Sequence, residues 1–193
     1  MGCGPGFLSN ELSKAGHNVT AVDFSTDELS VAEMRDETRR VKYIQADLYK
    51  LPFPSSSFDV VTGLDWLEHL SNPSKLLLES SRVLHPGGLF FFNSHSKNFL
   101  SYLCSIKGPQ LLVKDAQRNP RTYALFTSPQ ELEHHLDEVA LEIKKICGLR
   151  PALMQRALWQ MLFHRKVTAP FRYTWSRWSV ITFLGYAKKL REH

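Results

Sequence analysis

The sequence predicts an α/β fold: a doubly wound, mostly parallel sheet covered by helices. Three observations predict it. A glycine-rich turn, Gly2-Cys-Gly-Pro-Gly6, leads into apolar residues at helical spacing (Phe7, Leu8, Leu12, Ala15) and then into a short apolar run, Val19–Val22, ending on Asp23. A second run, Phe58-Asp-Val-Val-Thr62, has the character of a parallel strand covered on both faces. Helical and strand patterns alternate between and after these runs, as in successive β-α-β units.

Composition narrows the class. The 193 residues suit one domain, 1–193, with a core of its own. At 43% hydrophobic and 22% charged, the chain is neither disordered nor fibrous. Cys3, Cys104 and Cys147 show no paired spacing, which points to free thiols and a reducing compartment. Residues 1–15 contain neither a basic leader nor an apolar run. No stretch reaches the roughly 20 apolar residues that cross a bilayer. A net charge of +5 fits either an ordinary solvated surface or a basic face toward anionic lipid or nucleic acid.

The glycine turn is the first candidate site. Gly2, Gly4 and Gly6 leave room for a ligand against the backbone, and the helix after them directs free N–H groups back at it. Asp23, at a strand's carboxyl end, can accept both hydroxyls of a ribose. The G-x-G-x-G spacing departs from the G-x-G-x-x-G of dinucleotide sites and turns the reading to another nucleotide-type cofactor.

Downstream, Ser25 and Glu28 have capping-box spacing for a helix with Leu29 and Ala32 inside. Val41–Gln45 reads as a strand followed by Ala46-Asp47-Leu48, where Asp47 is a ligand acid or a loop cap. Gly63-Leu-Asp-Trp-Leu-Glu-His-Leu70 follows the buried strand, and Leu64 would lie against the cofactor. If the segment is helical, Asp65, Glu68 and His69 share one face. They could hold Mg²⁺ or Zn²⁺, or line the pocket with His69 as a base. Asn72-Pro73 starts a helix with Leu76, Leu77, Ser80 and Val83-Leu84 inward; His85-Pro-Gly-Gly88 stops it before a strand over Leu89–Asn93. His95 is a general base or an ordinary loop histidine.

Taken together, Gly2–Gly6, Asp23, Phe58–Val61, Asp65-Trp-Leu-Glu-His69, His85–Gly88 and Phe90-Phe-Phe-Asn93 resemble the class I S-adenosylmethionine-dependent methyltransferases. Within that class they are most similar to the O-methyltransferases of ubiquinone biosynthesis, over residues 2–100. The resemblance implies a Rossmann-like three-layer α/β/α sandwich with an antiparallel C-terminal hairpin. It implies S-adenosylmethionine bound by Gly2, Cys3, Gly4, Gly6, Asp23, Phe24, Asp47, Leu48 and Leu64. A divalent metal would sit on Asp65, Glu68 and His69, where Asp65 replaces a glutamate and is one methylene shorter. Glu68, His69 and His95 would serve catalysis on a phenol or catechol oxygen of a prenylated quinol precursor. Peripheral membrane contact, a protein complex of quinone biosynthesis, and a cytoplasmic or mitochondrial-matrix location go with it. The resemblance also sets a strand ahead of the glycine turn. Its place here is taken by Met1 alone, so a missing N-terminal segment and a slot in the sheet are expected.

Residues 99–126 read as a lid over a hydrophobic acceptor or as an added core helix. Ser128, Pro129 and Glu131 start another helix, with His134 and His135 at its surface. Val139–Cys147 and Val180–Leu184 are the expected closing hairpin. Between them, within 151–178, Arg172-Tyr-Thr-Trp175 and Arg177-Trp178 interleave arginine and aromatics. That pattern suits a membrane interface, or single-stranded nucleic acid less well since no nucleic-acid module accompanies it, or simply a packed helix with a basic face. The rival functions are a methyltransferase with another small-molecule or lipid acceptor, and a non-catalytic remnant that binds a partner or a membrane.

Overall fold

The computed structural model describes residues 1–64, 72–102, 127–152, 160, 172–176 and 181–191. In chain order they form α1 (Phe7–Lys14), β1 (Thr20–Asp23), α2 (Thr26–Met34), β2 (Lys42–Gln45), β3 (Phe58–Gly63), α3 (Pro73–Val83) and β4 (Leu84–His95). A single turn α4 (Phe99–Tyr102) follows, then α5 (Pro129–Asp137), β5 (Leu141–Pro151), β6 (Tyr173–Ser176) and β7 (Thr182–Lys189).

β1 and β2 pair in parallel, and a second sheet has the order β3-β4-β7-β5-β6. β3 runs parallel to β4. β7 runs against both β4 and β5, and β6 against β5. β5 therefore shares the direction of β3 and β4, leaving β7 and β6 as the reversed strands. β7 inserts between β4 and β5, so the hairpin expected from the sequence closes the sheet from within. A cavity of about 970 Å³ separates the facing edges of β1 and β3.

The core is built where the strand period and the helix period meet. Phe90 and Phe92 of β4 point to one face, where Leu76 and Leu77 of α3, Leu132 and Leu136 of α5, Leu141 and Phe183 are buried with them. Removing each such side chain from water contributes roughly 1.5–3 kcal/mol. Phe91 points to the opposite face and meets Tyr186 at 5.6 Å between ring centroids. A Cβ at Gly185 would come within 2.8 Å of the Phe92 ring, so glycine lets that ring cross β7.

Helix starts follow the sequence closely. The Ser25 and Asn72 side chains accept from the N–H groups of Glu28 and Lys75, and Ser128 with Glu131 makes a reciprocal capping box ahead of Pro129. Strand limits differ more. β4 begins at Leu84, directly after α3, because Leu84 pairs with Phe58 before His85–Gly88 bulge out of register. β5 extends through Pro151 because Gly148–Pro151 pair with β6, a strand not expected from the sequence. α1 buries Ser9, Asn10 and Ser13, whereas Phe7 is 69% exposed. The polar face is inside because it is fully bonded: Asn10 Nδ2 donates to Ala32 O, the Tyr43 hydroxyl donates to Asn10 Oδ1, and the Ser13 and Thr38 hydroxyls lie 2.6 Å apart.

Candidate cofactor site at the glycine turn

The turn is held in a backbone conformation that favours glycine. Gly2, Gly4 and Gly6 have φ of 60°, 48° and 79°. Gly6 also faces a steric limit: a Cβ there would lie 2.6 Å from Ala32 Cβ, so α1 can approach α2 this closely only without a side chain. Cys3 N donates to Val22 O at 3.0 Å and Gly6 N to Cys3 O at 3.1 Å. Outside the turn, Arg35 Nη1 reaches Pro5 O at 3.4 Å while its guanidinium covers the Phe7 ring at 4.7 Å.

Asp23 is the hinge of the site. Buried at the end of β1, it accepts from Gly4 N through Oδ2 at 2.8 Å and from Ser25 N through Oδ1 at 3.0 Å. One carboxylate thus ties the glycine turn to the start of α2. Each oxygen keeps a further lone-pair direction, so hydroxyls of a bound ligand can still be accepted. Cys3, beside it, has its thiol pushed up to about 11, first by burial and then by the Asp23 charge. It is therefore a protonated lining group rather than a nucleophile.

The other expected positions fall as follows. Phe24 is 73% exposed immediately after Asp23, an apolar side chain displayed at the carboxyl edge of the sheet. Asp47, exposed two residues beyond β2, accepts from Tyr49 N at 2.8 Å. Leu48 is buried in the core cluster, with its side chain turned inward. Leu64 is half-buried just past β3. His95 is buried at the end of β4, opposite Thr182 of β7, rather than in a loop. Asp65, Glu68 and His69 lie outside the described residues, and no group of three or more His, Cys, Asp or Glu side chains suited to a metal ion occurs among the described ones. Two groups of the site were not read from the sequence: Arg35, whose clasp on Pro5 has no local signature, and the N–H of Ser25, whose residue signals only a helix cap.

A glycine turn open to the backbone, a buried acceptor with spare capacity and an exposed phenylalanine are the acceptors and surfaces a nucleoside needs: a hydroxyl acceptor and a flat apolar face. They converge at the carboxyl ends of parallel strands, where open α/β sheets hold ligands.

Residues 1–92 match the family described as methyltransferase domain. The chain is 30% identical over 152 residues to a protein named ubiquinone biosynthesis O-methyltransferase from Aromatoleum aromaticum, covering 77% of this chain and 65% of that one. It is 32% identical over 153 residues to the protein of the same name from Thiobacillus denitrificans, covering 77% and 66%. The chain thus spans slightly less than two thirds of the length of these relatives. Among solved structures, a SAM-dependent methyltransferase from Methanosarcina mazei shares the fold with a TM-score of 0.67 at 23% identity, over 99% of this chain and 91% of that one. An S-adenosylmethionine-dependent methyltransferase from Mesorhizobium loti does so with a TM-score of 0.67 at 18% identity, over 97% and 88%.

Proposed function

We propose that this chain, whose residues 1–92 match the methyltransferase domain family, transfers a methyl group from S-adenosylmethionine to an oxygen of a small aromatic acceptor. The observation that carries the reading is the Asp23 carboxylate, buried against Gly4 N at the mouth of a left-handed glycine turn. In this reading Asp23 accepts the ribose hydroxyls, Phe24 and Leu64 pack beside the nucleoside, and Asp47 accepts from the base. Bound there, S-adenosylmethionine supplies a methyl group on a sulfonium centre. The protein's task is then to hold the acceptor oxygen in line with that methyl, which positioning alone accelerates strongly.

The acceptor we propose is a phenol or catechol carrying a prenyl tail. This rests on the name shared by the relatives, 30–32% identical across 77% of the chain. Glu68, His69 and His95 would take up the acceptor's proton, and Asp65, Glu68 and His69 are the candidate ligands for a divalent ion. Tyr173 and Trp175 stand exposed on edge strand β6 beside Arg172, a combination that suits a lipid–water boundary where such a tail would be delivered. Among the described residues no helix is long and apolar enough to cross a membrane.

Calorimetric titration with S-adenosylmethionine and with its demethylated product tests the cofactor assignment. Saturable binding is expected, weakened about 10- to 100-fold in Asp23→Ala, since a hydrogen bond to a charged group contributes about 1.5–3 kcal/mol. No binding by the folded chain, or unchanged binding in Asp23→Ala, overturns it. Methylation of catechols with and without a chelator then decides the acceptor and the need for metal.

A further inference from the structure

Two carboxylates flank the glycine turn, with Gly4 between them. On one side Asp23 Oδ2 accepts from Gly4 N at 2.8 Å. On the other, Glu28 Oε2 lies 4.0 Å from the point where a Cβ on Gly4 would stand, so the face that glycine leaves bare opens toward that carboxylate. The start of α2 sets Glu28 there. Ser25 N is fixed to Asp23 Oδ1 at 3.0 Å, and the Ser25 hydroxyl accepts from Glu28 N at 3.3 Å. One buried acid thus places both the turn and the second acid beside it.

Neither acid has a cation paired with it among the described residues. Asp23 is 5% exposed and bonds only backbone N–H groups, while Glu28 is exposed in the first turn of α2. Arg35, the guanidinium at the turn, is engaged with Pro5 O and the Phe7 ring. The combined field reaches the turn itself: the Cys3 thiol is pushed up by burial first, then by Asp23, and in smaller part by Glu28. The N–H groups at the start of α2 offset some of this negative charge. A carboxylate buried without a counter-charge is costly, and here a second one stands next to it. The site is short of a positive charge.

We propose that Glu28 is a charge-selecting residue of the cofactor site, whose carboxylate, together with Asp23, favours cationic S-adenosylmethionine over its neutral demethylated product. This rests on the methyl-transfer reading. In that step the bond from methyl carbon to sulfur breaks and leaves its electron pair on sulfur. The bond from acceptor oxygen to methyl carbon forms, and the acceptor's proton passes to solvent. The nucleoside thereby changes from a sulfonium cation to a neutral thioether. Its ribose hydroxyls are the same before and after, so hydrogen bonds to Asp23 cannot tell cofactor from product. Charge can, and Glu28 supplies it at the open side of the turn. Product then leaves a site whose acids have lost their counter-charge.

The test titrates S-adenosylmethionine and its demethylated product into the unaltered chain and into Glu28→Gln, which keeps the size and polarity of the side chain and removes its charge. Glu28→Gln is expected to weaken S-adenosylmethionine about 3- to 5-fold, as loss of an exposed charge pair does, and the product less than about 2-fold. Raising the salt from about 0.05 M to about 0.5 M lowers the cofactor-to-product preference of the unaltered chain and lowers that of Glu28→Gln less, because screening acts on exposed charge. Asp27→Asn removes the same charge one residue away and leaves the preference unchanged. Equal weakening of both ligands by Glu28→Gln, or the same loss of preference from Asp27→Asn, overturns the proposal. Cofactor binding that depends on Asp23 while the preference ignores Glu28 strikes this proposal alone. Failure of the folded chain to bind either ligand strikes the methyl-transfer reading, and this proposal with it.

Discussion

Asp23 accepts from two backbone N–H groups that belong to different elements, Gly4 in the turn and Ser25 at the start of α2. The sequence offers the acid as a candidate ligand; its structural duty was not legible there, because that depends on two donors brought together only by the fold. Cys3 is the converse case, a residue with no meaning in the sequence beyond its place in the turn. With its thiol raised to about 11, little thiolate is present near neutrality. Alkylation of Cys3 by iodoacetamide at pH 8 is expected to run about 100-fold slower than that of an unperturbed cysteine. Peptide mapping of a time course checks this, and modification of Cys3 as fast as a model thiol contradicts it.

At the scale of elements, the stop at His85–Gly88 was legible from proline and two glycines, but its form was not. Only the pairing partner decides between a loop and a bulge, and here β3 keeps Leu84 in the ladder. For α1, helical spacing of Phe7, Leu8 and Leu12 suggested an apolar inner face; buried hydrogen bonds from Asn10 and Ser13 selected the other. A comparable polar clamp holds the connection between β2 and β3. Arg82 pairs with Glu79 through Nε at 2.8 Å and Nη2 at 2.9 Å, and its Nη1 donates to Phe53 O at 2.8 Å, while Leu51 N donates to Glu79. Arg82 lowers the Glu79 carboxyl below its usual range, so its stabilisation is present above the unfolded value and fades as pH falls through the folded one. Arg82→Ala is expected to cost about 1.5–3 kcal/mol at pH 7, by loss of charged hydrogen bonds, and less at pH 3. Urea melts at both pH values measure it; an equal loss at both would assign the effect to the carbonyl contacts alone.

For the molecule as a whole, the glycine turn, the acid and the alternating segments were enough to expect a doubly wound sheet. The position of β7 and the existence of β6 were not legible, since an antiparallel insertion leaves no periodicity different from that of an ordinary strand. β6 also carries the molecule's exposed aromatic edge. If it meets lipid, Trp175→Ser lowers co-sedimentation with anionic vesicles several-fold, at the roughly 1–3 kcal/mol of an anchoring side chain's burial, and leaves S-adenosylmethionine binding unchanged. Vesicle binding that is indifferent to Trp175 argues against the contact.

The seat of β7 between β4 and β5 has a consequence for biosynthesis. Leu89–His95 pair with Thr182–Lys188, far downstream in sequence, and Leu141–Leu149 pair with that same segment. A nascent chain emerging from a ribosome can form the local helices and the early parallel pairs, but the middle of its larger sheet waits for Thr182–Lys189, far downstream of β4. Contacts so distant in sequence slow folding. Until they form, the edges of β4 and β5 are open to neighbouring chains.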